Sequence, residues 1–221
     1  MDILDGMLPA YVIGVADGLF LLVMGMAVFT APWYKIVDSE SSHVFFGVTL
    51  LVGIIWLMRS DVVNGINFHL LTTTTLYLMF GWQFAVFAIV LVNIGMYFSG
   101  LVPASLIPIN VLLLGGVPVA VTSTLLRVSK KHLPHHFFIY IFVNCFFAGA
   151  ASMLSVAIVT IALYYIFAHA AMFQGLQNFL PFSLLLAVPE AAINGILMSG
   201  MIAYRPAWVA TFHDSVYING K

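Results

Sequence analysis

The chain has 221 residues, of which 63% are hydrophobic and 7% charged, with a formal net charge of −1; an ordinary soluble domain is roughly 25% charged. A soluble fold of this length cannot hide so much apolar surface, because polar residues must cover its outside. In a bilayer the outside is lipid, the backbone must satisfy itself, and apolar runs of about 17–30 residues favour helices over the short alternating strands of a membrane barrel.

The expectation is therefore an all-α polytopic membrane protein with about seven transmembrane helices. The first residues, Met1 to Gly6, are acidic, and no basic stretch precedes the first apolar run, so no cleavable signal peptide is expected. In chain order the predicted spans cover 7–29, 43–58, 68–80, 83–99, 107–126, 136–167 and 180–204. The third is short for roughly 30 Å of hydrocarbon and reads as a tilted span or a half-span buried in protein. The sixth is over-long, with Gly149 near its middle, and is expected to tilt, kink or project. Breaks are expected at Pro32, Asn64-Gly65, Pro103, Pro108, Leu133-Pro134 and Pro181. No repeat or linker divides the chain, so 1–221 reads as a single integral membrane domain with a tail over 205–221.

Basic residues set the orientation. Arg127, Lys130 and Lys131 lie between spans five and six, which assigns that loop to the cytoplasm. Alternation then places Lys35, Arg205 and Lys221 inside and Arg59 outside. The N-terminus falls outside, where Asp2 and Asp5 can meet an arriving cation, and the C-terminus is cytoplasmic. A multi-pass cell (inner) membrane location follows.

Ionisable groups within spans are costly, so each is a functional candidate. Asp17 stands in span one, His69 at the start of span three and Glu190 midway along span seven. Asn93, Asn110, Asn144 and Asn194 are expected as buried amides. The bland alternatives are a helix-packing role for His69, an asparagine partner for Glu190 and a structural role for Asp17. Cys145, the single cysteine, lies deep in an apolar run and offers neither a disulfide nor a cysteine metal site. Lys130-Lys131-His132 with His135-His136 reads as an orientation signal and a surface for phospholipid or a partner. His213-Asp214 falls in the tail. Small residues at Ala10, Gly14 and Gly18, and at Gly195, Ser199 and Ala203, mark faces where helices approach closely. Phosphate-binding glycine loops, H-E-x-x-H and G-x-S-x-G are missing. The chain is thus expected to hold no ATP site, to be no enzyme and to bind no nucleic acid; if it pumps, another subunit supplies the energy.

The N-terminus, Met1-Asp2-Ile3-Leu4-Asp5-Gly6-Met7-Leu8-Pro9, resembles that of the substrate-binding membrane subunit of cobalt and nickel energy-coupling-factor transporters, the CbiM/NikM family, which begins M-H-I-x-[DE]-G-[FY]-L-[SP]. His69-Leu70 followed by Leu78-x-x-Gly81-Trp82 is similar to its H-L-x-G segment and L-x-G-P-W turn. Ile109-Asn110-Val111 through Gly115-Gly116-Val117, and Glu190 through Asn194 with Arg205-Pro206, resemble later family stretches.

The resemblance implies the fold of an energy-coupling-factor S component, with segment 1–6 folding back to bind metal. It implies an ion held by the amine of Met1, the amide and side chain of position 2, and His69. Amine, amide and imidazole form fused chelate rings that suit Ni(II), Co(II) or Cu(II). Position 2 is Asp2 here, so a carboxylate replaces the motif histidine and the ligand set becomes harder. His69-Leu70-Leu71-Thr72 departs from H-L-x-G, and Thr72–Thr75 replace small residues. The expected ligands are Met1, Asp2 and His69, with Asp5, His43 and Glu190 as alternative or supporting groups. The implied function is the membrane permease component of an energy-coupling-factor ABC uptake system, carrying a transition-metal ion (Co, Ni, Zn or Cu) with a transmembrane coupling subunit and cytoplasmic ATPases. Two other readings stay open: an intramembrane enzyme or redox accessory using His69 and Glu190, and a metal-free membrane scaffold.

Overall fold

The computed structural model describes residues 2–3, 5–63, 66–167 and 173–217, with the backbone alone for 60–63, 66 and 173–178. Its elements are α1 (Ala10–Thr30), a single turn α2 (Tyr34–Val37), α3 (Ser39–Leu57), a hairpin of β1 (Ser60–Val63) and β2 (Ile66–Phe68), α4 (Thr73–Phe80), α5 (Trp82–Phe98), α6 (Ala104–His132), α7 (Phe137–Phe167) and α8 (Phe173–Tyr204). Among the described residues five helices are long and apolar enough to cross a bilayer, namely α1, α3, α6, α7 and the Phe179–Tyr204 part of α8, and α5 adds a shorter apolar helix. The all-α polytopic expectation holds. The antiparallel hairpin pairs Ser60 with Phe68 and is the one sheet among the described residues.

Two helices pass through prolines expected to break them. Pro108 lies in the first turn of the α-helical part of α6, which begins at Ile107 after a 3-10 turn over Ala104–Leu106, where a missing N–H breaks no α-helical bond. Pro181 lies inside α8 together with Pro189, as membrane helices tolerate because neighbours satisfy the freed carbonyls. The over-long sixth segment is continuous, and its irregularity is a π-helical stretch at Tyr140–Phe147 rather than a kink at Gly149.

The third predicted span takes the half-span form. It starts at Thr73 rather than 68, because β2 and an extended stretch occupy the preceding residues. With 8 residues it is about 12 Å long, too short to cross, and six of those residues are buried: Thr73, Thr74, Thr75, Leu76, Leu78 and Met79. A backbone end inside a bilayer has no water to satisfy it, so protein must cap both ends of α4. At its start, Glu190 Oε2 accepts from the Leu71 N–H at 2.7 Å and Oε1 from the Thr72 N–H at 2.8 Å. One turn on, Asn194 Oδ1 accepts from the Thr75 N–H at 2.9 Å and from Thr75 Oγ1 at 2.7 Å. At its end, the Ala210 and Thr211 N–H groups donate to the carbonyls of Met79 and Leu78 at 3.0 and 3.2 Å.

The threonine run joins α4 to its neighbours. Pro118 has no N–H to offer the carbonyl four residues earlier, and that carbonyl, Leu114, accepts from Thr73 Oγ1 at 2.9 Å. Thr74 Oγ1 meets Thr122 Oγ1 at 3.0 Å and Ser152 Oγ at 3.2 Å, tying α4 to α6 and α7. Thr72 has φ 52°, the one non-glycine residue with positive φ among those described, a conformation that β-branched residues rarely adopt. The two N–H bonds to Glu190 hold the backbone there.

Candidate metal centre

The N-terminal segment folds back into the bundle. Ile3, 1% exposed, is clamped by Asn110 of α6, whose Oδ1 accepts from the Ile3 N–H at 2.8 Å and whose Nδ2 donates to the Ile3 carbonyl at 3.4 Å. The amide side chain thereby pairs one residue as a neighbouring strand would. This fixes the backbone beside Asp2 and buries its side chain to 4% exposure.

A buried carboxylate must be paired, and Asp2 has two partners. Its Oδ1 lies 3.0 Å from His69 Nε2, and its Oδ2 accepts from Arg59 Nη1 at 3.0 Å. Arg59 Nη2 also donates to the Leu101 carbonyl at 3.4 Å. Burial opposes the charge on Asp2, but the His69 ring and the Arg59 guanidinium outweigh it and hold the carboxyl well below the usual carboxylate range.

His69 is fixed from three sides. Its Nδ1 faces the Leu70 carbonyl at 3.2 Å. Its ring packs on Trp56 of α3 with centroids 4.4 Å apart, and Trp56 Nε1 donates to the Leu71 carbonyl at 3.2 Å. Glu190 holds the Leu71 and Thr72 N–H groups just beyond. Both ring nitrogens therefore face oxygen acceptors. A neutral imidazole carries one proton, so it can donate to only one of the two; with the proton on Nε2 it donates to Asp2 Oδ1, and with the proton on Nδ1 the Nε2 lone pair and Oδ1 are free to share a metal ion. Two cis ligands bound at about 2.1 Å and at a right angle stand about 3.0 Å apart, which is the separation of these two atoms.

The expected residues divide. Asp2 and His69 come together, and Glu190 supports them through the backbone of 71–72. Met1 lies outside the described residues. Asp5 is exposed and accepts from the N–H of its neighbour Gly6 at 3.1 Å. His43 is not brought to the site: it stands in the first turns of α3, facing the Ser39 carbonyl, and the helix puts its end at Leu57, two residues before Arg59, about 21 Å away at 1.5 Å per residue. Among the described residues no group of three His, Cys, Asp or Glu side chains could hold a metal. Asp2 and His69 thus need further donors from elsewhere, and the backbone nitrogens at the start of the chain are the nearest by sequence. In the basic loop, His136 accepts from the Phe138 N–H at 3.2 Å at the start of α7, and the His135 ring packs edge-on against Tyr217.

Arg59, Trp56 and Asn110's grip on Ile3 were not legible as site features. The available signal was charge: Arg59 is the single basic residue assigned to the side that receives the acidic N-terminus.

A family model described as the cobalt uptake substrate-specific transmembrane region (CbiM) matches residues 2–208. No curated protein matches the chain. Two crystal structures share the fold. A truncated transition-metal transporter superposes with a TM-score of 0.77 at 15% identity, covering 92% of this chain and 99% of that one. A second transition-metal transporter gives 0.75 at 15%, covering 92% and 93%. At that identity the likeness concerns the fold alone, whereas the family model spans most of the sequence. The chain belongs to the cobalt-uptake substrate-specific transmembrane family, as a membrane component of metal uptake and not an enzyme.

Proposed function

We propose that the chain is the substrate-binding membrane component of an energy-coupling-factor ABC transporter that imports a transition-metal ion. The carrying observation is the buried pair Asp2 Oδ1 and His69 Nε2, 3.0 Å apart, a carboxylate oxygen and an imidazole nitrogen at the separation of two neighbouring ligands of one ion. The amine of Met1 and the amide nitrogen of Asp2 complete the ligand set. A centre with two or more nitrogens and one carboxylate oxygen suits Co(II), Ni(II), Zn(II) or Cu(II).

The ion enters from the exterior. Asn110 and Arg127 stand 17 residues apart on α6, about 26 Å along the axis, so the site and the basic loop occupy opposite ends of the molecule. Positive residues mark the cytoplasmic side. Release inward is driven by a transmembrane coupling subunit and cytoplasmic ATPases, since no loop of this chain carries a nucleotide-binding motif. Glu190 takes no part as an acid or base: its oxygens accept from Leu71, Thr72 and Asn194.

The metal-free scaffold reading draws on one observation, the Arg59 guanidinium already paired with Asp2. Calorimetry separates the two. Detergent-purified protein with a free N-terminus is titrated with Co(II), Ni(II), Zn(II) and Cu(II), beside His69→Ala and a variant with one residue added before Met1. Tight binding lost in both variants is the expected result. No binding by the parent protein, or binding unchanged in both variants, overturns the proposal and favours the scaffold.

A further inference from the structure

Arg59 differs from the other residues around Asp2 in what it does to an arriving ion. A guanidinium stays charged at any working pH, so a positive charge stands permanently beside the centre. Nη1 holds Asp2 Oδ2 at 3.0 Å, Nη2 is tied to the Leu101 carbonyl at 3.4 Å, and the side chain is 14% exposed. Asp2 is left with one oxygen, Oδ1, directed at His69 Nε2. Asn110 holds the N–H and carbonyl of Ile3, the next residue, and so fixes the backbone from which the Asp2 side chain projects.

Divalent ions divide on this geometry. Calcium, magnesium and manganese collect oxygens, six or more, and calcium in particular takes carboxylates by both oxygens at once. Cobalt and nickel bind well through nitrogen with a single carboxylate oxygen. An acidic residue at an outward-facing site would, with both oxygens free, serve the first group as readily as the second.

We propose that Arg59 is a specificity-determining residue of the metal centre. By holding Oδ2 it makes Asp2 a one-oxygen ligand, and so excludes oxygen-seeking divalent ions while admitting those that bind through nitrogen. This rests on the metal-binding reading above and adds to it the means by which ions are chosen.

The test compares wild type, Arg59→Gln and Arg59→Lys as full chains in detergent with a free N-terminus. Each is titrated with Co(II), Ni(II), Mn(II) and Ca(II), and the metal-free melting temperature of each is recorded. In Arg59→Gln the carboxylate is released, and Mn(II) and Ca(II) gain about tenfold or more in affinity relative to Co(II) and Ni(II). The visible spectrum of bound Co(II) changes with its coordination. Arg59→Lys keeps a charge against Oδ2 and the wild-type order of ions; it also carries the test should Arg59→Gln not fold, because a lysine variant that admits Ca(II) overturns the idea. Unchanged ratios in Arg59→Gln, or equal weakening of all four ions, would make Arg59 only a support for Asp2 and sink the proposal. Absence of Co(II) and Ni(II) binding in the wild type itself would remove the metal-binding reading as well, which distinguishes the two failures.

Discussion

Asp2 and Glu190 are both buried carboxylates, 4% and 0% exposed, and they are satisfied by different chemistry. Asp2 faces side chains, the guanidinium of Arg59 and the ring of His69. Glu190 faces the Leu71 and Thr72 N–H groups and the Asn194 amide, with no cation among its described partners. Side-chain partners can swing away and be exchanged for an ion. Backbone donors at a helix start cannot leave without unwinding it. Two acids at similar burial are thus held differently, Asp2 by side chains and Glu190 by backbone, and the exchange of a partner for an ion proposed above is open only to the first.

The largest effect expected from that contrast is at Glu190. Glu190→Ala leaves the Leu71 and Thr72 N–H groups without their acceptor inside the bundle, the Asn194 amide keeping only the main-chain carbonyl of residue 190, and should destabilise the protein by about 3–5 kcal/mol. Glu190→Gln turns an NH2 toward one of those N–H groups and should cost about 1–3 kcal/mol. Thermal unfolding in detergent checks both; a Glu190→Gln protein as stable as wild type would show that the carboxylate is not architectural.

A smaller effect is expected at Gly149 of α7, where an added Cβ would stand 3.0 Å from Asn194 Nδ2 and 3.3 Å from Asn194 Cβ. Asn194 both donates to Glu190 and accepts from Thr75. Gly149→Ala should therefore disturb the start of α4 at a cost of about 1–3 kcal/mol, with metal affinity falling alongside stability. A variant that melts at the wild-type temperature would mean that α7 and α8 give way freely.

The smallest effect concerns acid. Asp2, held below the usual carboxylate range by His69 and Arg59 against the opposing effect of burial, contributes stability that is present above its unfolded value, about pH 4, and lost as pH falls through the lowered folded value. Metal-free protein should lose stability only below about pH 4, and Asp2→Asn should flatten that part of the profile. An identical acid limb in the variant would assign the loss to other groups.

The sequence made the membrane class plain, because hydropathy acts through composition and run length. It also pointed to His69 and Glu190 one by one, since an ionisable group in a span is conspicuous. The coupling between them was not legible: it runs through the N–H groups of Leu71 and Thr72, which no side-chain pattern records. Thr72–Thr75 looked like substitutions near the site, yet three of their hydroxyls bind Leu114, Thr122, Ser152 and Asn194 and cement the half-helix instead. The Asp2–Arg59 pair joins residues 57 apart in sequence and needed the folded N-terminus to be seen.

Both ends of α4 are gripped by one stretch of chain: Glu190 and Asn194 at its start, Ala210 and Thr211 at its finish. The half-helix is therefore anchored end to end by α8 and the segment that follows it, while Thr73 and Thr74 fasten its side to α6 and α7. His69 is joined to α4 by three residues, so the same bonds that seat the half-helix also set where the imidazole stands.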